Sequence, residues 1–144
     1  MESDGAKVRG LRPGRAGSFA LVLVAYLAAL GAAWWSLGFV GDLHPLWQGL
    51  VADVVATCVI FAVSFAVNNS SVYDPYWSIV PPVLVGWWMT TPEAMAGDEQ
   101  RQWLALVLVG LWGARLTWNW GRGWSGLSHE DWRYVDLAAK HGRR

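Results

Sequence analysis

Ser18-Phe-Ala-Leu-Val-Leu-Val-Ala-Tyr-Leu-Ala-Ala-Leu-Gly-Ala-Ala-Trp-Trp-Ser-Leu-Gly-Phe-Val40 runs for 23 residues without a charged side chain. At about 1.5 Å of rise per residue this is about 35 Å of helix, enough to cross a hydrocarbon core about 30 Å thick. The run is too long for the apolar core of a secretory signal peptide. Trp34 and Trp35, towards its far end, suit the aromatic belt at a membrane interface. It is read as a transmembrane helix, and it sets the class expected of the whole chain: all-α, an integral membrane helical bundle.

Composition agrees. Of the 144 residues, 54% are apolar and 15% charged, and twelve are tryptophan, a balance foreign to soluble domains. A formal net charge of zero gives no global attraction to nucleic acid. Cys58 is the sole cysteine, so no internal disulfide can form. His44, His129 and His141 are too scattered for a metal site. A zinc-protease helix starting at His129-Glu130 fails because Arg133 occupies the place four residues on.

Outward from the first span, residues 1–17 mix five Gly/Pro positions with Lys7, Arg9, Arg12 and Arg15 and are read as a disordered basic tail. Gly41-Asp-Leu-His-Pro45 is a turn, and a second span follows over about 46–67. A third, over about 75–90, carries Pro81-Pro82; proline removes a backbone donor and clashes with the preceding turn, so a kink or break is expected there. An acidic loop at 91–101 leads to a fourth span over about 102–121. Ser128 and Asp131 resemble a capping box for a short cytoplasmic or interfacial helix over about 129–140. The tail holds four basic residues and the segment after Gly121 five, whereas the 41–45 and 91–101 loops hold one between them. The positive-inside rule then gives four spans in the cell membrane with both ends cytoplasmic. The 68–74 loop and the 115–134 segment emerge on the same side.

Polar residues within these apolar runs are the candidate site. Arg115, Asn119 and Arg122 fall at i, i+4 and i+7 on one helix face, flanked by Trp112 and Trp118. Such a face is costly in lipid and should meet protein or a water-filled cavity. Guanidinium forks also suit phosphate. The competing reading is snorkelling, which accounts for Arg122 more readily than for Arg115 and leaves Asn119 unexplained. Asp53, Thr57, Ser64 and Asn68 form a second stripe. It reads either as a cavity lining, with Asp53 a proton donor or the partner of Arg115, or as an interfacial acid. Tyr73, Asp74 and Tyr76 could polarise a carbonyl, or serve as a loop cap and interface anchors.

The run Arg115-Leu-Thr-Trp-Asn-Trp, continuing through Arg122-Gly-Trp to Gly126-Leu-Ser-His-Glu-Asp-Trp-Arg-Tyr134, resembles a family of bacterial membrane proteins in the steroid 5α-reductase superfamily. Asn69-Ser-Ser-Val-Tyr-Asp-Pro-Tyr-Trp-Ser78 is similar to that family's other signature. The resemblance implies a membrane reductase that uses NADPH to saturate the double bond of a lipid- or steroid-like enone. It implies carbonyl polarisation by Tyr73 or Tyr76 with Asp74 or Asp53 in support. It implies cofactor contacts from Arg115, Asn119, Arg122, His129, Glu130, Asp131, Arg133 and Tyr134. No glycine-rich dinucleotide fingerprint is present, and none is expected in this superfamily. Family members continue for a further stretch of comparable length, so this chain is expected to be an N-terminal part, inactive without the missing half or a second copy. The alternatives are a small four-span dimeric transporter or membrane assembly protein, which the absence of any acid in the first span disfavours, and a membrane methyltransferase acting on lipid-like substrates.

Overall fold

A computed structural model describes residues 13–128 and 130–140. Among these the chain is helical without strands: α1 (Arg15–Leu37), α2 (Pro45–Ala66), a 3-10 turn (Ser70–Val72), α3 (Tyr76–Trp88), the short α4 (Pro92–Met95), α5 (Glu99–Gly123) and α6 (Trp132–Lys140). α1 packs along α2 and α3 along α5, while α2 and α3 meet more briefly. Ala25 and Ala29 of α1 face Ala56 and Ile60 of α2, with Tyr76 closing the same buried cluster. Small side chains at such a seam let helix backbones approach closely.

α1 starts earlier than expected, so Arg15, Ala16 and Gly17 belong to a helix and not to the tail; residues 1–12 of that tail lie outside the described residues. Pro45 at the first position of α2 fits its start, because its missing N–H has no partner to lose there. The Nδ1 of His44 accepts the Leu46 N–H at 3.3 Å. Asp98 caps α5 by accepting the N–H of Arg101 at 3.1 Å.

α1 and α2 are the two described helices long and apolar enough to cross a membrane. The expected four spans are not all of that kind. α3 has 13 residues, about 20 Å of helix. α5 has 25 residues but dilutes its apolar run with Gln100, Arg101, Gln102, Arg115, Asn119 and Arg122. Large apolar side chains stand exposed along the helices, among them Leu23, Leu27, Phe61, Leu108 and Leu111. An apolar surface this extensive marks a membrane or protein interface.

The expected break at Pro81-Pro82 does not occur: α3 runs unbroken through both. Pro82 cannot donate to the Ser78 carbonyl one turn back. That carbonyl is covered instead by Gly113 of α5, where a β-carbon would collide with the Ser78 oxygen. Ser78 Oγ and Thr117 Oγ1 share a hydrogen bond at 2.8 Å beside this contact. A neighbouring helix thus shields the backbone that the prolines leave unpaired, one of the ways proline is tolerated inside such bundles.

Candidate functional site

The turn after α2 and the chain after α5 are clasped together. Asn68 turns the chain at φ 48°. Asn69 is then buried, with its Oδ1 accepting the Ser71 N–H at 3.0 Å and its Nδ2 donating to the Leu127 carbonyl at 3.2 Å. Glu130 Oε1 accepts the Ser70 N–H at 2.9 Å, and Ser71 Oγ accepts the Asp131 N–H at 2.9 Å. Trp120 Nε1 donates to the Ser71 carbonyl at 3.2 Å, and the Tyr134 hydroxyl to Asp74 Oδ1 at 2.7 Å. α1 joins through Ser18, whose Oγ accepts the Leu127 N–H at 3.1 Å, and through Tyr26, which donates to the Val72 carbonyl at 3.1 Å. Gly126 lies at φ +102° with its α-carbon against Ser18, a position closed to larger residues. The start of α1, the 68–75 turn and the end of α5 therefore meet at one end of the molecule.

This clasp explains why α6 begins at Trp132 and not at His129. Leu127, Glu130 and Asp131 are already bonded to α1 and to the turn, so the chain coils into a helix only beyond them. The expected capping box at Ser128 does not form: Ser128 is exposed, and Asp131 itself caps α6 by accepting the Arg133 N–H at 2.9 Å. Tyr134 faces Asp74, but Trp132 on the opposite side is 73% exposed.

Within the clasp, Ser71, Asp74, Asn119, Trp120, Trp124 and Asp131 surround a polar cavity of about 230 Å³. The Trp124 indole N–H is buried there without an acceptor among the described residues. Phe19 packs edge-on against Trp120 and Trp124, which stack on each other at 4.8 Å. Burial raises the Asp74 carboxyl above its ordinary pKa, against the opposing pull of the Tyr134 hydrogen bond and the Arg133 charge. Tyr134 is raised by burial and by the Asp74 carboxylate it bonds. Arg133 is raised by its two-pronged pairing with Asp131, at 2.8 and 3.0 Å.

A second, apolar cavity of about 290 Å³ lies between α1, α2 and α3, walled by residues such as Leu30, Trp34, Ala52, Val83 and Trp87. Its polar feature is a relay. Thr57 Oγ1 donates to the Tyr76 hydroxyl at 3.1 Å, and that hydroxyl donates to Asp53 Oδ1 at 2.8 Å. Tyr73 stacks on Tyr76 with centroids 5.2 Å apart.

The sequence-predicted residues are thereby sorted. Asp53 and Tyr76 come together, and Tyr73 supports them through its ring. Asp74 lies instead in the polar clasp with Asn119, Asp131 and Tyr134. Glu130 is engaged with the turn backbone. His129 lies outside the described residues. The shared face expected of Arg115, Asn119 and Arg122 divides: Asn119 borders the polar cavity, Arg122 borders a groove beside Arg15, and Arg115 is exposed. Arg115 is not the partner of Asp53, whose carboxylate bonds Tyr76, because α5 packs on α3 and not on α2. Sequence reasoning missed Ser71, Trp124 and Tyr26. The first two lie inside the quoted signatures, which was the available signal. Tyr26 gave none, being one aromatic residue in an apolar run.

No curated protein and no solved structure matches the chain. A family model described as "Protein of unknown function (DUF1295)" matches residues 60–144, a stretch that contains both signatures and most of the clasp. That match takes in more than half of the 144 residues, and the chain belongs to this family.

Proposed function

We propose that this chain contributes the substrate-polarising part of a membrane-embedded, NADPH-dependent reductase that saturates the carbon–carbon double bond of a lipid-like enone. The observation that carries the reading is the Tyr76–Asp53 hydrogen bond of 2.8 Å, set in the wall of an otherwise apolar cavity. An apolar pocket with a few convergent polar groups is the general form of a site for a lipid-like ligand. The resemblance of residues 69–78 and 115–134 to steroid 5α-reductase-like proteins supports the same class. The reading includes four membrane crossings, by α1, α2, α3 and α5, with both chain ends on the cytoplasmic side.

In this reading the enone lies in the cavity with its carbonyl oxygen against the Tyr76 hydroxyl. The bound cofactor supplies hydride to the β-carbon. Negative charge builds on the oxygen, and Tyr76 stabilises it by a hydrogen bond inside a dry site, where such bonds count most. The single phenol proton, which Asp53 Oδ1 accepts in the structure, turns to the enone oxygen while Thr57 keeps its hydrogen bond to the phenol oxygen, and the proton added at the α-carbon comes from solvent. Tyr73 fixes the phenol ring by stacking.

The described residues fit the cofactor in part. Carboxylates at Asp74 and Asp131 and the Asn119 carboxamide suit ribose hydroxyls and an amide. The cavity is smaller than the ~300–1,000 Å³ of typical ligand sites and has no arginine in its lining. It takes one end of a dinucleotide and not its phosphates.

In the complete reductase, Tyr76→Phe and Asp53→Asn are expected to lower turnover of a 4-en-3-one steroid by about 100-fold or more. Both should leave NADPH binding, read by tryptophan quenching, within twofold. The same variants should weaken enone binding to the cavity, read at Trp34 and Trp87. Unchanged turnover and unchanged enone affinity would sink the assignment.

A further inference from the structure

A further concavity lies on the other side of α3 from the apolar cavity, sharing Ile79 and Val83 with it. It is a groove of about 770 Å³ running along α3 and α5 to the start of α1. Ile79, Pro82 and Val83 of α3 form one wall, and Gly110 and Ala114 of α5 the floor. From Gly110 to Gly121 the groove follows α5 for about 16 Å at 1.5 Å per residue. One leaflet of a hydrocarbon core is about 15 Å deep, half of the full thickness.

Its end is cationic. Arg15 and Arg122 both line it, and no carboxylate is among the lining residues. The Arg15 guanidinium is fixed by Nη2, which donates to the Gly121 carbonyl at 2.9 Å and the Arg122 carbonyl at 3.4 Å. Both bonds use one nitrogen, so Nε and Nη1 keep their donors for another acceptor. The Arg122 side chain makes no ion pair among the described residues. Two guanidiniums at the rim of an apolar trough, without a counter-charge, complement an anionic head on an apolar tail. Arginine forks suit phosphate in particular.

The geometry points to a bound anionic phospholipid, its phosphate between Arg15 and Arg122 and one acyl chain lying in the α3–α5 groove. The inference rests on membrane embedding alone and is independent of any reductase chemistry. It also accounts for Arg122, which the resemblance assigns to the cofactor, lining this groove and not the Asn119 cavity.

Trp118 lines the groove and is exposed, which makes it a reporter. The full chain is reconstituted in phosphatidylcholine vesicles that contain equal fractions of either bromine-labelled phosphatidylglycerol or bromine-labelled phosphatidylcholine. The Trp118 contribution is isolated by subtracting Trp118→Phe. Phosphatidylglycerol should quench Trp118 with about tenfold preference, the order expected of two arginines at an anionic lipid surface. Arg122→Gln should reduce the preference to about twofold, and Arg122→Lys should retain most of it. The Arg122 side chain makes no ion pair among the described residues and is exposed, so this pair is less prone to the unfolding that Arg15 variants invite. Equal quenching by the two lipids overturns the proposal, as does a preference that survives Arg122→Gln. Trp118 shielded from both lipids means that a second copy or another protein segment fills the groove, which also overturns it. If millimolar inorganic phosphate abolishes the preference, the arginines bind a free anion and the lipid assignment fails. None of these readouts involves Asp53 or Tyr76, so failure here leaves the reductase reading standing, and the reverse.

Discussion

The Asp74 carboxyl is held by the Tyr134 hydroxyl at 2.7 Å, yet its pKa is raised, because loss of water outweighs that hydrogen bond and the Arg133 charge. Asp131 adds repulsion from the same side. The sign follows by linkage. A carboxyl with a higher pKa in the folded chain than in the unfolded one contributes stability below the unfolded value, about 3.9, and loses it as pH rises through the folded value. Asp74→Asn removes this titration while an amide oxygen still accepts from Tyr134. The stability of the wild type relative to Asp74→Asn should therefore fall as pH is raised from about 4 to 7, followed by thermal melts of the tryptophan near-UV signal. A rising difference would mean that Asp74 is stabilised as an anion. Tyr134→Phe should cost about 1.5 kcal/mol at neutral pH, the range between neutral and charge-assisted hydrogen bonds.

At the scale of the element, α3 shows where a local rule gave way to its surroundings. Pro81-Pro82 are legible as two lost N–H donors, and an isolated helix would break there. The missing information is that Gly113, some thirty residues later, brings α5 against the freed Ser78 carbonyl. Nothing in the spacing of either helix announces that pairing. The same limit applies to Arg115, Asn119 and Arg122: their shared face is correct helical arithmetic, but Asn119 meets the polar cavity, Arg122 the groove beside Arg15, and Arg115 stays exposed. Gly113→Ala should destabilise the chain by about 1–3 kcal/mol, because its methyl forces α3 and α5 apart. Gly110→Ala, whose methyl meets nothing within 4 Å, should be neutral or stabilising by up to about 1 kcal/mol. Equal losses in detergent melts would show that α5 simply needs glycine flexibility and that the close contact is incidental.

Over the whole molecule, the long apolar runs were legible because length and composition suffice for them, and α1 and α2 follow directly. The meeting of residues 69–78 with 115–134 was legible only as a shared side, since charge counting fixes sides and not contacts. The crossings proposed for α3 and α5 turn on length and charge. With 13 residues α3 covers about 20 Å, short of a full core, whereas α5 with 25 covers about 37 Å. A helix too short to span can still do so by thinning the bilayer or lengthening through flanking turns. Here the 3-10 turn before α3 and α4 after it offer that extension. Positive charge argues for crossing: Arg15 and Arg122 sit at one end, and the 91–101 loop carries a single arginine. Cysteine accessibility decides it, in a Cys58→Ser background with Glu93→Cys or Ser128→Cys, both exposed positions. An impermeant maleimide should label Glu93→Cys in intact cells and Ser128→Cys only after permeabilisation. If neither is labelled in intact cells, the α3–α5 pair dips in and returns on one side, and the chain crosses with α1 and α2 alone. The Asp53–Tyr76 cavity would survive that outcome, because α1, α2 and α3 from Tyr76 to Trp87 build it. The lipid groove would not keep its present depth, since its length depends on α5 standing upright in the bilayer.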